Sequence, residues 1–160
     1  MQGYKLLDYF DTICTGLNYA DTIANITQDT KVYLEADVNN KYDRNAIAIR
    51  LVDTKQKMGY VNGQDAANLY PLFKHPEIRM HVMIKDKHPE GKKYCPIIIC
   101  VFYLESSTNA EELALRILFQ AKQEAEKRKP WNLAKAAALS TLFKSSASTT
   151  VDIIRTDVDE

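Results

Sequence analysis

The sequence has no excess of positive charge. Lys plus Arg and Asp plus Glu both number 21 in its 160 residues, so the formal net charge is zero. Bulk attraction to a polyanion is therefore excluded, and any nucleic-acid contact must rest on a local patch and on stacking. Long hydrophobic runs are missing too. The longest, Pro96 to Leu104, falls far short of the roughly 20 residues of a membrane helix. The start, Met1-Gln2-Gly3-Tyr4-Lys5, leads into no apolar stretch, so neither a secretory signal nor a membrane partner is expected.

Cysteine is scarce. Cys14, Cys95 and Cys100 form an odd, scattered set without a CxxC pair, which argues against a disulfide framework and a zinc ribbon. The expected compartment is reducing and cytoplasmic, with the three thiols acting as small apolar core residues. No GxxxxGK[ST] loop is present, so no ATPase chemistry is assigned. His75, His81 and His88 are near one another in sequence, but their spacing does not make a four-ligand zinc site. No cofactor, no metal and no catalytic activity are expected.

A hydrophobic fraction of 46% beside 26% charged residues suits one folded domain with an extension. The first two-thirds reads as strands. Phe10 to Leu17 is rich in β-formers. Val32, Leu34 and Ala36 alternate with Tyr33 and Glu35. A loop dense in Asn and Asp, Asp37 to Asn45, precedes a strand with Ile47, Ile49 and Leu51 on one face and the small Ala46 and Ala48 on the other. Met58-Gly59-Tyr60-Val61 is a short strand, and a short helix is expected from near Gly63, kinked or ended by Pro71.

Ile78, Met80, Val82 and Ile84 alternate with Arg79, His81, Met83 and Lys85, giving one apolar and one largely basic face. His88 to Lys93 is a hairpin loop, and Pro96 to Leu104 a central strand. No internal repeat is apparent. From Ser106 the character changes. Thr108-Asn109-Ala110-Glu111 has the pattern of a capping box with Thr108 as cap. Leu113, Ile117, Leu118, Ala121 and Ala125 make the expected apolar stripe, with Lys122 and Glu126 as an outer pair. Lys129-Pro130 ends or kinks this helix, and Trp131 to Phe143 suits a second. The expected organisation is a lead-in over 1–9, a β-rich domain over 10–104, a helical extension over 105–144 and a flexible tail over 145–160. Within that tail, Val151 to Ile154 is an alternative short strand.

One constellation is more specific. Asn39-Asn40-Lys41-Tyr42-Asp43-Arg44-Asn45-Ala46-Ile47-Ala48-Ile49 is an Asn-rich turn, then Tyr-Asp-x-Asn-Ala-Ile, then an alternating strand. It resembles the central motif of the HIRAN domain. Cys14-Thr15-Gly16-Leu17-Asn18-Tyr19 is similar to the family's first strand, Met58-Gly59-Tyr60-Val61 to its Ile-Gly-Tyr strand, and Ala66 to Phe73 to the helix after it.

The resemblance implies a small, OB-like, six-stranded β-barrel, α+β but mainly β, here with a C-terminal helical extension. The family occurs fused to helicase-like chromatin and repair ATPases and as stand-alone bacterial and phage proteins, so a role in DNA repair is implied. It further implies capture of single-stranded DNA ends, with RNA as an alternative ligand. Aromatics stack on terminal bases and a carboxylate takes the free 3′-hydroxyl. By motif those roles fall on Tyr42 and Asp43, with Tyr19, Tyr60 and Tyr94 as aromatic contacts, Asn40 as a backbone contact, and Lys92 and Lys93 holding phosphates.

Where DNA-binding members carry Arg and two aromatics, this chain has Asn18-Tyr19-Ala20, and Asn62-Gly63-Gln64 stands where basic residues are expected. Compensation is expected from Arg79, Lys85, Lys87, Lys92 and Lys93. Bland readings stand beside these. Asp43 would cap its own turn, and Tyr42 and Tyr19 would pack on the barrel. The alternative function is a protein-interaction or assembly module, binding a partner or itself through Trp131, Leu139, Leu142 and Phe143.

Overall fold

A computed structural model describes residues 2–17, 26–86 and 93–129. Tyr19, Lys87, His88, Lys92, Trp131, Leu139, Leu142, Phe143 and the 145–160 tail lie outside the described residues. Six strands run in chain order, β1 (Tyr4–Thr15), β2 (Val32–Ala36), β3 (Ile47–Leu51), β4 (Lys57–Val61), β5 (Ile78–Ile84) and β6 (Cys95–Leu104). Helix α1 (Gly63–Leu69) and a 3-10 turn (Tyr70–Lys74) separate β4 from β5, and α2 (Thr108–Lys127) follows β6.

All pairings are antiparallel, in the order β2-β3-β4-β1-β6-β5, and the two edges β2 and β5 curl toward each other into a nearly closed barrel. The apolar run of β6 lies between β1 and β5, as a central strand must when both its faces shed water. Strand β3 is buried on both faces. Ile47 and Ile49 fill the barrel together with Phe10, Met58, Ile97 and Ile99, while Ala46 and Ala48 are small enough for close neighbours.

Strand β1 begins at Tyr4 rather than Phe10 because the far half of β6 needs a partner. Tyr4 pairs with Leu104, and a bulge between Leu6 and Asp8 breaks the alternation that would have marked the extra strand. It ends at Thr15, where Gly16 takes a positive φ of 68°. The chain turns there, and β4 crosses so closely that Gly59 has room for no side chain. A Cβ at Gly59 would stand 2.4 Å from the Thr15 carbonyl oxygen and 2.7 Å from Cys14 Sγ.

Asn62 caps α1. Its Oδ1 accepts from the Gln64 and Asp65 amides, and Pro71 then sits in the first turn of the 3-10 segment, where its missing N–H costs nothing. The cap of α2 is Ser107, not Thr108, with its Oγ accepting from the Ala110 amide at 3.2 Å. Glu111 thereby falls outside a capping box and accepts the Tyr103 hydroxyl instead, which raises that phenol's pKa. The buried stripe of α2 is Ala110, Ala114, Leu118 and Ala121; Leu113, Ile117 and Ala125 are half-buried flanks. The displaced stripe leaves Leu115 and Phe119, four residues apart, on the exposed face.

The chain divides into two units, Met1–Ala121 and a second from Lys122 onward. The described part of the second is the end of α2 and the residues after it, where Lys127 pairs with Glu124 and Lys129 with Glu126. Among the described residues no helix is long and apolar enough to cross a membrane.

Candidate nucleic-acid interface

The loop between β2 and β3 is built by its own short polar side chains. Asn40 Oδ1 accepts from the amides of both Tyr42 and Asp43 at 2.9 Å, and Asp43 Oδ1 accepts from the Asn45 amide at 2.8 Å. Backbone bonds from Asp37 N–H to the Ala46 carbonyl and from Ala46 N–H to the Asp43 carbonyl close its base. Asp43 thus does cap its turn, with one oxygen. The other has no partner among the described residues. Tyr42 does not pack on the barrel. It is 99% exposed, a ring held in water.

The wall opposite comes from β4. Tyr60 pairs with Ala48 on one side and with Thr15 on the other, at the point where β1 ends. Its hydroxyl donates to Asp37 Oδ2 at 2.9 Å and accepts from Lys57 Nζ at 2.7 Å; the same ammonium lies 4.6 Å from the ring centroid. Thr15, Asn40, Tyr42, Asp43, Ala46, Tyr60, Val61 and Gly63 line one open cavity of about 330 Å³. The close approach forced at Gly59 is what brings β4 and the end of β1 to the same rim.

The structure therefore gathers Asn40, Tyr42, Asp43 and Tyr60 into one recess. Tyr94 stands apart from its lining. It precedes Cys95, whose partner is Cys14, so Tyr60 and Tyr94 flank the end of β1 from opposite sides. Lys93 is exposed beside Tyr94 and also outside the recess. Two expected phosphate contacts lie elsewhere. Arg79 stacks over Tyr4 at 5.1 Å and bonds the Pro76 and Ile78 carbonyls at the start of β1, roughly 35 Å of strand path from Thr15 at about 3.3 Å per residue. Lys85 pairs with Asp11 at 3.0 Å.

Among the described residues, the cations nearest the recess are different ones. Lys57 bonds the hydroxyl of its Tyr60, and Lys41 and Arg44 are exposed next to Tyr42 and Asp43 in sequence. Sequence reasoning also passed over Asp37 as a site residue. Lys41 and Arg44 were legible, since they bracket the Tyr-Asp pair. Asp37 was not, because only strand pairing brings it to Tyr60, and Lys57 was not, because it meets Tyr60, three residues on, across a register shift in β4.

Other features lack this combination. A recess of about 390 Å³ between the edges β2 and β5 is lined mainly by apolar side chains, among them Val32, Leu34, Met80 and Phe102. Its His81 stacks on Phe102 at 5.2 Å. Among the described residues no group of three or more His, Cys, Asp or Glu is placed to hold a metal ion. The thiols are free and buried. Burial pushes Cys14 up to about 12, aided by the neighbouring Cys95, and pushes Cys95 up to about 11, aided by Asp86. Neither is a thiolate at neutral pH, so neither is a nucleophile.

A family model described as HIRAN domain matches residues 7–105. Similar solved structures include three of one domain. The crystal structure of the HIRAN domain of human HLTF has a TM-score of 0.61 at 17% identity, covering 76% of this chain and 95% of that one. The NMR structure of the HLTF HIRAN domain in its DNA-bound conformation has a TM-score of 0.59 at 18% identity, covering 74% and 92%. A further NMR structure of that domain has a TM-score of 0.57 at 18% identity, with the same coverage. These likenesses establish the barrel fold. No curated protein matches the chain.

Proposed function

The chain belongs to the HIRAN domain family, and from that premise we propose that it is a non-catalytic module that binds single-stranded DNA ends in the recess between Tyr42 and Tyr60. One observation carries the reading. Tyr42 is wholly exposed on a loop its neighbours hold in place, beside a carboxylate with one oxygen to spare. An unpacked aromatic on an ordered loop is a stacking platform, and base–aromatic stacking contributes about 1–3 kcal/mol per base without sequence preference. The HLTF HIRAN domain has a DNA-bound conformation, which supports a nucleic-acid ligand here.

Asp43 decides between an end and a continuous strand. An ionised carboxylate repels phosphate and accepts from a hydroxyl, so a free 3′-hydroxyl is the group it favours. Among the described residues, Lys41, Arg44 and Lys57 are the cations for the flanking phosphates. With so few, binding is weak and its salt dependence shallow.

The test is fluorescence anisotropy at low salt with a labelled single strand of about ten nucleotides, within the usual site size. One form carries a free 3′-hydroxyl and the other a 3′-phosphate. A charge-assisted hydrogen bond supports a preference of about tenfold for the free hydroxyl. That preference should vanish in Asp43→Ala. Binding indifferent to the end reduces the proposal to a general single-strand binder, and equal binding of RNA widens the ligand. No binding to any strand refutes it.

A second reading is favoured by Leu115 and Phe119, which are 50% and 65% exposed on one face of α2. Adjacent apolar side chains of that size suit a protein-interaction or assembly module. Phe119→Lys would then abolish association and leave strand binding unchanged.

A further inference from the structure

Asp37 touches both halves of the recess and was assigned no role by its sequence. It is half-buried at the end of β2. One of its oxygens, Oδ2, accepts from the Tyr60 hydroxyl at 2.9 Å and from Asn40 Nδ2 at 3.3 Å. The direction of every bond around it is determined by chemistry. Lys57 only donates, so the Tyr60 oxygen accepts from it and sends its own proton to Asp37. A carboxylate only accepts, so the amide of Asn40 must face Asp37 with its NH₂. Its oxygen is then left to the amides of Tyr42 and Asp43. The orientation of the loop that presents the exposed ring is thus set through one carboxylate anchored to the opposite wall.

We infer that Asp37 is the positioning residue of the recess, holding the Tyr42-Asp43 backbone against Tyr60 through Asn40. The inference rests on the nucleic-acid reading for its functional consequence, but its structural content stands apart from it. It also answers a difficulty. A negative charge beside a polyanion site opposes binding, so on charge alone its removal would help. If Asp37 positions the loop, removing its acceptor oxygens hurts instead, and an uncharged side chain that keeps an acceptor oxygen restores what was lost.

The experiment uses the full chain with Asp37→Ala, Asp37→Asn and Tyr60→Phe. The last removes the phenolic hydroxyl, with its bonds to Asp37 and Lys57, and keeps the ring, so it tests the same link should Asp37→Ala fail to fold. NMR follows the amide protons of Tyr42 and Asp43, and anisotropy follows a short single strand in the same samples. In Asp37→Ala those two amides should exchange with solvent about tenfold faster, as expected for one lost hydrogen bond. Strand affinity should fall by about tenfold alongside. Asp37→Asn should restore both to within about threefold, and Tyr60→Phe should fall between. Unchanged amides in all three variants overturn the inference, as does tighter strand binding in both Asp37 variants. Amides that respond while Tyr42→Ala leaves strand binding untouched leave the positioning role standing and refute the nucleic-acid site instead.

Discussion

Replacing Tyr42 by alanine separates binding from folding. The side chain is 99% exposed, so its truncation removes almost no buried surface. The loop is held by Asn40 and Asp43, which the change leaves in place. Urea unfolding should therefore give a midpoint within the scatter of surface substitutions, about 0.5 kcal/mol in free energy. Binding should respond differently. One lost stacking interaction of about 1–3 kcal/mol weakens the complex roughly 5- to 150-fold.

The salt dependence supplies a second, independent reading. If Lys41, Arg44 and Lys57 each neutralise one phosphate, the slope of log affinity against log salt is about −2 for a single strand. Stacking releases no counterions, so Tyr42→Ala should shift that line down without tilting it. The assay is an anisotropy titration at several salt concentrations, paired with urea denaturation of the same preparations. A variant that binds within about twofold of the parent chain refutes the stacking role. One that loses its urea midpoint would mean that Tyr42 supports the fold, contrary to its exposure.

Gly59→Ala should be among the costly changes. Its Cβ would meet a backbone oxygen at 2.4 Å and a buried sulfur at 2.7 Å, neither at the end of a flexible chain. Overpacking of this kind costs about 1–3 kcal/mol, read as a lowered urea midpoint, and a midpoint equal to the parent's would refute the close crossing of β4 and β1. The buried thiols predict an alkaline limit. Cys14 and Cys95 have folded pKa values raised to about 12 and about 11, so above pH 9 the unfolded chain loses protons that the folded one keeps. Stability is then fully present below that pH and falls as pH rises toward 11, by at most about 1.4 kcal/mol per pH unit for each thiol. Urea midpoints between pH 8 and 10.5 check this, and Cys14→Ala should flatten the decline. A decline equally steep in that variant would refute the assignment to Cys14.

Much of this protein was legible residue by residue. The alternation of Ile78 to Ile84 is a strand because period-two burial needs only one apolar face, and Asn62 before Gly63 starts a helix through its own side chain. The Asn-rich turn and Tyr42-Asp43 were legible as a unit because Asx bonds span two or three residues and close within the loop itself. Differences arose mostly where a choice depended on a distant partner. Tyr4 to Tyr9 became strand because β6 is long, and the bulge at Leu6 to Asp8 hid it. Ser107 caps α2 in place of the adjacent Thr108, and packing on the barrel buries Ala110, Ala114, Leu118 and Ala121.

The cations divided the same way. The basic face of β5 is real in sequence, yet Arg79 is bound to Tyr4 and Pro76 at the far end of β1, and Lys85 to Asp11. Lys57 meets the Tyr60 hydroxyl, three residues on, across a register shift in β4. Asp37 and Tyr60 are 23 residues apart and meet because β3 pairs with both β2 and β4. Periodicity, caps and turns are short-range interactions, carried by neighbouring residues and so written in the chain. Which charge faces which aromatic is set by register and by the curl of the sheet, and those exist only once the strands have paired.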